Sequence, residues 1–188
     1  MKTGADFIDL PIIQEHLATA TDTFAAVAGS EFRKSTEGVL RYFPSMRFDS
    51  PLEVLFWIWW EAALGLSEMQ NHLDIHPQVD VEVADELYRL DFVVEPTDPQ
   101  MAASPDWTPI AVELDGHAFH ERTREQVALR DSRDRALQVA GWKVFHFSFA
   151  EFTAAPGACV VEVATYAKVR WNKTTIRTPA TEVAAQST

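Results

Sequence analysis

A single cysteine, Cys159, is the first scarcity in this chain of 188 residues, and it excludes an internal disulfide. Set in a Val/Ala segment, it reads as a small buried residue. The count fits a reducing compartment, so a cytoplasmic location is expected. Long apolar runs are missing as well. The most apolar stretch, Val54 to Leu66, is interrupted by Glu61 and is too short to span a bilayer, so it reads as a buried core helix and no membrane partner is expected. The first ten residues acquire Asp6 and Asp9 before an apolar run can develop, which argues against a signal peptide. There is no internal repeat and no low-complexity tract. What is abundant is bulky apolar surface: the chain is 47% hydrophobic and 11% aromatic, with 6 Trp and 12 Phe. That suffices for one compact domain with a core and is too much for a disordered chain.

Positive charge is scarce, giving a net charge of −12, which at first argues against nucleic acid. Its distribution softens the objection. Residues 1–100 carry 18 acidic and 6 basic side chains, whereas residues 101–188 carry 10 of each, and six of those basic residues fall between Arg122 and Lys143. An acidic body with one locally basic segment makes tight non-specific DNA binding unfavourable at physiological salt, yet leaves room for a local DNA groove where a divalent cation offsets the carboxylates.

Residues 5–27 have helical spacing that Pro11 splits, and Gly29-Ser30 ends it. Ser50-Pro51-Leu52-Glu53 reads as a helix start, with Ser as N-cap and Pro at the first helical position, and the helix runs to about Leu64 before Gly65. Phe56, Trp57, Trp59 and Trp60 are core residues of that helix. Strands follow at about 71–82 and 87–95 with Asp85-Glu86 as the turn between them. A Pro-dense surface loop covers 96–109. A third strand spans 110–114, a charged helix 121–140 with Gly141 as its stop, a fourth strand 142–147 and a last helix 158–171. The order helix, strand, strand, strand, helix, strand predicts an α/β fold with a mixed sheet flanked by helices. The division expected is an N-terminal helical extension over 1–48, a core over 49–172 and a disordered tail over 173–188. Residues 1–48 leave room for a homodimer or protein-partner contact, and nothing in them names the partner.

The chemistry concentrates in two strands. Along Ile110-Ala111-Val112-Glu113-Leu114-Asp115-Gly116, alternation sends Val112 and Leu114 to the core and Ala111, Glu113 and Asp115 to the other face. Two carboxylates on one strand face repel each other, and a plain sheet gains nothing from them, whereas a divalent cation offsets the repulsion. In Tyr88-Arg89-Leu90-Asp91-Phe92-Val93-Val94, Asp91 interrupts an apolar strand; Leu90, Phe92 and Val94 are expected on one face, Arg89, Asp91 and Val93 on the other. If the two strands pair, Asp91 approaches Glu113, and their oxygens suit a hard cation such as Mg²⁺ or Mn²⁺.

An Asp in one strand, Glu-x-Asp-Gly ending the next, then a charged helix and a further strand, resembles the PD-(D/E)XK (restriction-endonuclease-like) nuclease superfamily, and within it the small stand-alone branch related to very-short-patch-repair endonucleases. The resemblance rests on Ser50-Pro51-Leu52-Glu53, on residues 88–93, on Val112 through His117, on His120, on residues 130–137 and on Gly141-Trp142-Lys143-Val144, and it covers roughly residues 50–152. It implies a restriction-endonuclease-like core, a metal-dependent endonuclease activity on DNA, Asp91 and Glu113 as metal ligands together with the Leu114 carbonyl, and Glu53 beside the site. Asp115 stands where the superfamily usually has Lys. That departure opens the general-base role to His117, to His120 or to metal-bound water alone. Arg124, Arg130 or Arg133 would hold the scissile backbone.

Other readings of the same residues stand beside this one. Asp91 also fits a strand-end residue bonded to Arg89 or a loop amide, Glu113 and Asp115 an exposed edge pair before a Gly turn, and Glu53 a residue favoured by the helix dipole. The arginines of 121–140 interleave with Glu121, Glu125, Asp131 and Asp134, so a solvated salt-bridged face competes with a DNA contact. His117 with His120, and His72 with His76, lack the cysteine partners of a structural zinc site. His146 reads as solvent-facing or hydrogen-bonded. The function alternatives are therefore a nuclease, a catalytically silent module of the same fold that binds nucleic acid or a protein, and an unrelated hydrolase using Glu113 and Asp115 as an acid/base pair. Carboxylates at i and i+2 sit too close to flank a substrate well, which disfavours the third.

Overall fold

The structure, a computed structural model, describes residues 2–3, 6–28, 45–64, 67, 69, 71–116 and 124–177, with backbone alone for 20–28, 124–126 and 174–177. The expected helix stops at Gly29-Ser30 and Gly65, and the tail beyond 177, lie outside the described residues.

Four strands, β3 (Leu73–Val83), β4 (Glu86–Pro96), β5 (Ile110–Asp115) and β6 (Lys143–Ser148), form a sheet in sequence order. The β3–β4 and β4–β5 pairings are antiparallel and β5–β6 is parallel, so the sheet is mixed, as the order of elements predicts. The parallel step needs a crossover, supplied by a helix over Arg124–Val139. A second, two-stranded sheet pairs β1 (Lys2–Thr3) with β2 (Arg47–Phe48), strands of two residues each and too short to show periodicity in sequence. Among the described residues no helix is long and apolar enough to cross a membrane.

The first helix, α1 (Pro11–Ala28), begins at Pro11 rather than being split by it. Proline's missing N–H costs nothing in a first turn, where that donor has no intrahelical acceptor. Helix α2 (Pro51–Leu64) is buried on nearly every side. Its Phe56 ring packs against Phe92 at 5.3 Å and Phe147 at 6.2 Å on the sheet and against Phe152 at 5.7 Å. On another side Trp59 donates its indole N–H to His16 of α1 at 3.1 Å. Burial from several directions explains why α2 shows little amphipathic pattern, and why the Trp-rich cluster is core rather than a stacking surface.

The Pro-dense loop contains one short helical turn, α3 (Pro99–Ala102), capped by Asp98. Helix α4 is the Arg124–Val139 crossover; it ends where Gly141 adopts φ +88° and the Trp142 N–H donates to the Leu137 carbonyl at 2.9 Å, the left-handed glycine stop expected at that position. After β6 come α5 (Phe149–Ala154) and α6 (Pro156–Arg177), the latter longer than its expected 158–171.

Two apolar clusters sandwich the sheet. Phe92, Val94, Ile110, Val112 and Leu114 join α2 and α6 in the larger one, which also takes in Phe7, Ile13 and Cys159. Val93, Ala111 and Leu137 form the smaller one beneath α4, with Val83 and Leu90. The hairpin departs from simple alternation here: Leu90 packs with Val93, not with Phe92 and Val94 as alternation alone predicts. On β3, likewise, Ile75 joins the larger cluster while Val79, Val81 and Val83 meet the smaller one. The faces exchange where the regular pairing breaks, between Pro77↔Phe92 and Val79↔Leu90, and Gln78 there takes φ +56°. Asp91 lies opposite Gln78, at that break. The hairpin turn itself is Ala84-Asp85, one residue earlier than expected, with φ +54° and +64°. Two consecutive positive φ values match the twist of a two-residue hairpin, and Val83↔Glu86 closes the ladder.

Candidate metal centre

Strand register brings the two principal acids together. The β4–β5 ladder runs Val94↔Ile110, Val93↔Ala111, Phe92↔Val112, and one more step would set Asp91 opposite Glu113. The ladder stops there because the Asp91 side chain takes over a backbone position: its Oδ2 accepts the Leu114 N–H at 2.7 Å. Asp91 is thus bonded to a backbone amide across the sheet, not to Arg89, whose Nε donates to Gln78 Oε1 at 2.9 Å. Leu114 enters the site through this N–H and as part of the cleft wall.

Glu113 and Asp115 share the α4 face of β5, as alternation predicts, but they are not an exposed edge pair: they keep only 7% and 8% of their surface exposed. Glu113 Oε2 accepts from Arg133 Nη2 at 2.8 Å, while its Oε1 is buried with no donor among the described residues. Asp115 lies 3.6 Å from Arg130 Nη1. Arg130 also reaches Asp131 at 3.2 Å. Arg130 and Arg133, one turn apart on α4, point inward at these carboxylates and also pair with Asp131 and Asp134 of their own helix, so this face is salt-bridged, as one reading of the charge pattern expects, but turned to the sheet rather than to solvent. Tyr88, Asp91, Glu113, Leu114, Asp115, Leu129, Arg130 and Arg133 line a cleft of about 490 Å³. Leu129 is largely exposed at its mouth.

Glu53 sits on the far side of Asp91. Its backbone N–H donates to Ser50 Oγ at 3.3 Å, and its carboxyl accepts from Ser50 Oγ at 2.8 Å and from the Asp49 N–H at 2.9 Å. This reciprocal capping arrangement starts α2. Gln78 Nε2 adds a bond to the same carboxyl at 2.7 Å, which ties the helix to the irregular point of the hairpin. The dipole reading of Glu53 is therefore incomplete: it is a fully engaged cap that also feels Asp91.

The electrostatics follow from burial. Glu113 is pushed up to about 8, first by desolvation and then by the charge of Asp91, with Arg133 pulling it partway back. Glu53 rises to about 7 through desolvation, opposed by the Asp49 N–H and reinforced by Asp91. Asp91 is raised by burial, against the Leu114 hydrogen bond and Arg133, with Asp115 and Asp49 adding repulsion. Glu53, Asp91 and Glu113, each raised first by desolvation, crowd with Asp115 in low dielectric and form a site that favours protons or another cation.

Among the described residues no three ligating side chains are grouped closely enough to hold a metal ion by themselves. The donors present suit a more open site. Magnesium and manganese are commonly held by one or two carboxylates, with water and phosphate oxygens completing the shell. Asp91 and Glu113, the latter with an unused buried oxygen, fit that requirement.

His117 and His120, and the side chain of Arg124, lie outside the described residues. His72 and His76 do not act as a pair: the His72 ring packs on Trp171 at 4.7 Å, and His76 Nε2 lies 3.0 Å from Glu95 Oε1. Asp134 and His146 enter the site's surroundings without having been foreseen. Glu113 pairs with His146 in the parallel β5–β6 register, which puts both on one face, and His146 Nε2 lies 2.8 Å from Asp134 Oδ2. No family model matches the chain, and no curated protein or solved structure does either.

Proposed function

We propose that this chain is a divalent-metal-dependent endonuclease with a restriction-endonuclease-like core, hydrolysing DNA phosphodiester bonds at the cleft between β4, β5 and α4. The observation that carries the reading is the meeting of Asp91 and Glu113 at the end of an antiparallel ladder, beside a cleft that both line with two arginines, one Glu113 oxygen being buried without a donor among the described residues. A buried carboxylate oxygen with no donor calls for a partner, and a divalent cation would be one.

Asp91 and Glu113 would hold Mg²⁺ or Mn²⁺, which when bound lowers the pKa of a water and offsets charge on a phosphate. Glu53 stands behind Asp91 and fixes the start of α2 through its cap. Asp91 is oriented by the Leu114 N–H, so its position is set by the sheet rather than by a mobile loop. Arg130 and Arg133 supply the guanidinium groups suited to a phosphodiester, whose planar donors match phosphate oxygens. Asp115 cannot supply the positive charge of the Lys usual at its position; Arg130, 3.6 Å away, brings a cation to the same corner of the cleft. An acidic body around this small basic patch favours a substrate gripped over few phosphates, with the metal compensating locally.

The test is cleavage of supercoiled, single-stranded and mismatched DNA with Mn²⁺, Mg²⁺ or chelator. Metal-dependent cleavage supports the reading; no cleavage of any substrate in either metal counts against it. A second reading, a catalytically silent module of the same fold that binds nucleic acid or a protein, draws on the internal ion pairs themselves: Arg133 on Glu113 and Arg130 on Asp115 already counter part of the acidic charge. That reading expects DNA or partner binding unaffected by chelator, and no cleavage.

A further inference from the structure

Among the described residues, five buried polar atoms on four neighbouring side chains lack hydrogen bonds: Glu113 Oε1, Arg133 Nε, Asp134 Oδ1 and both ring nitrogens of His146. Two of them already face each other: Arg133 Nε is 3.6 Å from Asp134 Oδ1, just beyond hydrogen-bonding distance. Arg133 meanwhile grips Glu113 through Nη2 alone, at 2.8 Å, instead of with the two-nitrogen fork that guanidinium groups form when settled on one carboxylate. The other oxygen of Asp134 lies 2.8 Å from His146 Nε2, a contact at ion-pair distance in which the ring nitrogen makes no directed hydrogen bond. His146 in turn is the register partner of Glu113. The guanidinium therefore lies between two carboxylates, bonded to one and within about 1 Å of bonding the other.

Unmet buried hydrogen bonds are costly, and several on adjoining side chains call for a state that satisfies them. Moving Arg133 the short distance onto Asp134 satisfies two at once. It also releases both Glu113 oxygens, and a divalent cation would satisfy those. Resting on the metal-centre reading above, we infer that Arg133 is a two-position counter-ion: it holds Glu113 while the metal is absent and passes to Asp134, which His146 braces, when a divalent cation takes Glu113. Arg133, Asp134 and His146 are then positioning residues. Arg133 competes with the metal, and Asp134 lessens that competition by giving the guanidinium somewhere to go. In its second position Arg133 remains on the cleft wall, where a phosphate can meet its outer nitrogens.

Double-mutant analysis of Mn²⁺ binding by the full chain tests this, read by calorimetry and by the electron paramagnetic resonance of free Mn²⁺, with circular dichroism confirming folding. Arg133→Gln removes the competitor and is expected to tighten Mn²⁺ binding about 10-fold, as loss of one charge-assisted hydrogen bond predicts. Arg133→Lys restores part of the competition. Asp134→Asn weakens binding about 5-fold in the wild-type background, with His146→Gln changing it in the same direction should Asp134→Asn fold poorly. In the Arg133→Gln background, Asp134→Asn has little effect, because no guanidinium is left to receive. Two results overturn the inference alone: Arg133→Gln binding Mn²⁺ no tighter than wild type, or Asp134→Asn weakening binding equally in both backgrounds, as simple charge additivity would. Absence of Mn²⁺ binding in wild type and every variant overturns it together with the metal centre.

Discussion

Replacing Glu113 by Gln should make the metal-free protein more stable at alkaline pH. Glu113 is raised from 4.5 to about 8 by burial and by Asp91. A carboxyl whose folded pKa lies above its unfolded one contributes stability that is fully present below 4.5 and is lost as pH climbs through about 8, because the unfolded chain gives up its proton first. That difference corresponds at its limit to roughly 4–5 kcal/mol. Relaxation and water penetration reduce it to about 2 kcal/mol at a site this size. Glutamine is neutral throughout, so it escapes the penalty, and the rise to about 8 already includes the opposing pull of Arg133 at 2.8 Å. The prediction is a gain of about 2 kcal/mol near pH 8.5, shrinking to nothing near pH 5, or a melting temperature higher by about 4–8 °C at the alkaline end. Denaturant unfolding of wild type and Glu113→Gln at both pH values, in chelator, measures it. A loss of more than about 1 kcal/mol of the same size at both pH values would refute the reasoning, since that is the behaviour of a structural ion pair whose breaking leaves Arg133 buried and unpaired.

Asp91→Asn keeps an oxygen for the Leu114 N–H and should unfold in urea within about 0.5 kcal/mol of wild type, whereas Asp91→Ala strands that buried N–H and should cost about 1–3 kcal/mol; on the proposed reading both lower metal-dependent cleavage by at least about 10²-fold. Arg130→Ala should weaken DNA binding, measured by fluorescence anisotropy in Ca²⁺, and lower the slope of log affinity against log salt by about 1. An unchanged slope would take Arg130 off the phosphate. Ser50→Ala opens the cap at the start of α2 and should lower stability by about 1 kcal/mol in a thermal scan.

Much of the fold was legible because local rules and tertiary packing agree. Ser50-Pro51 starts α2, Gly141 stops α4 and the apolar strands lie where expected, each fixed by steric rules that act within a few residues. The acidic cluster was legible for a similar reason: alternation puts Glu113 and Asp115 on one face of β5, and antiparallel pairing then carries Asp91 to Glu113. What escaped depends on contacts between distant segments. The exchange of faces at Gln78 and Asp91 breaks alternation, so no count of residues predicts it. The Ala84-Asp85 turn lacks the Gly or Asn that marks such turns. Arg130 and Arg133 sit in a helix whose mixed charges fit solvent as well as a site, and only the sheet beneath shows that they point inward. Asp134 and His146 are ordinary residues in sequence; the parallel β5–β6 register, which sequence does not specify, brings His146 beside Glu113. The signal that could have found them is the pairing of one strand face with the next across a parallel crossover.

The proposal of metal-dependent phosphodiester hydrolysis at Asp91 and Glu113 is tested most directly by strand cleavage with wild type, Asp91→Asn and Glu113→Gln, each shown to be folded, in Mn²⁺ and in chelator. The account predicts cleavage by wild type in Mn²⁺, none in chelator and none by either variant. Equal cleavage by the variants, or none by a wild-type protein that also binds no Mn²⁺, would contradict it.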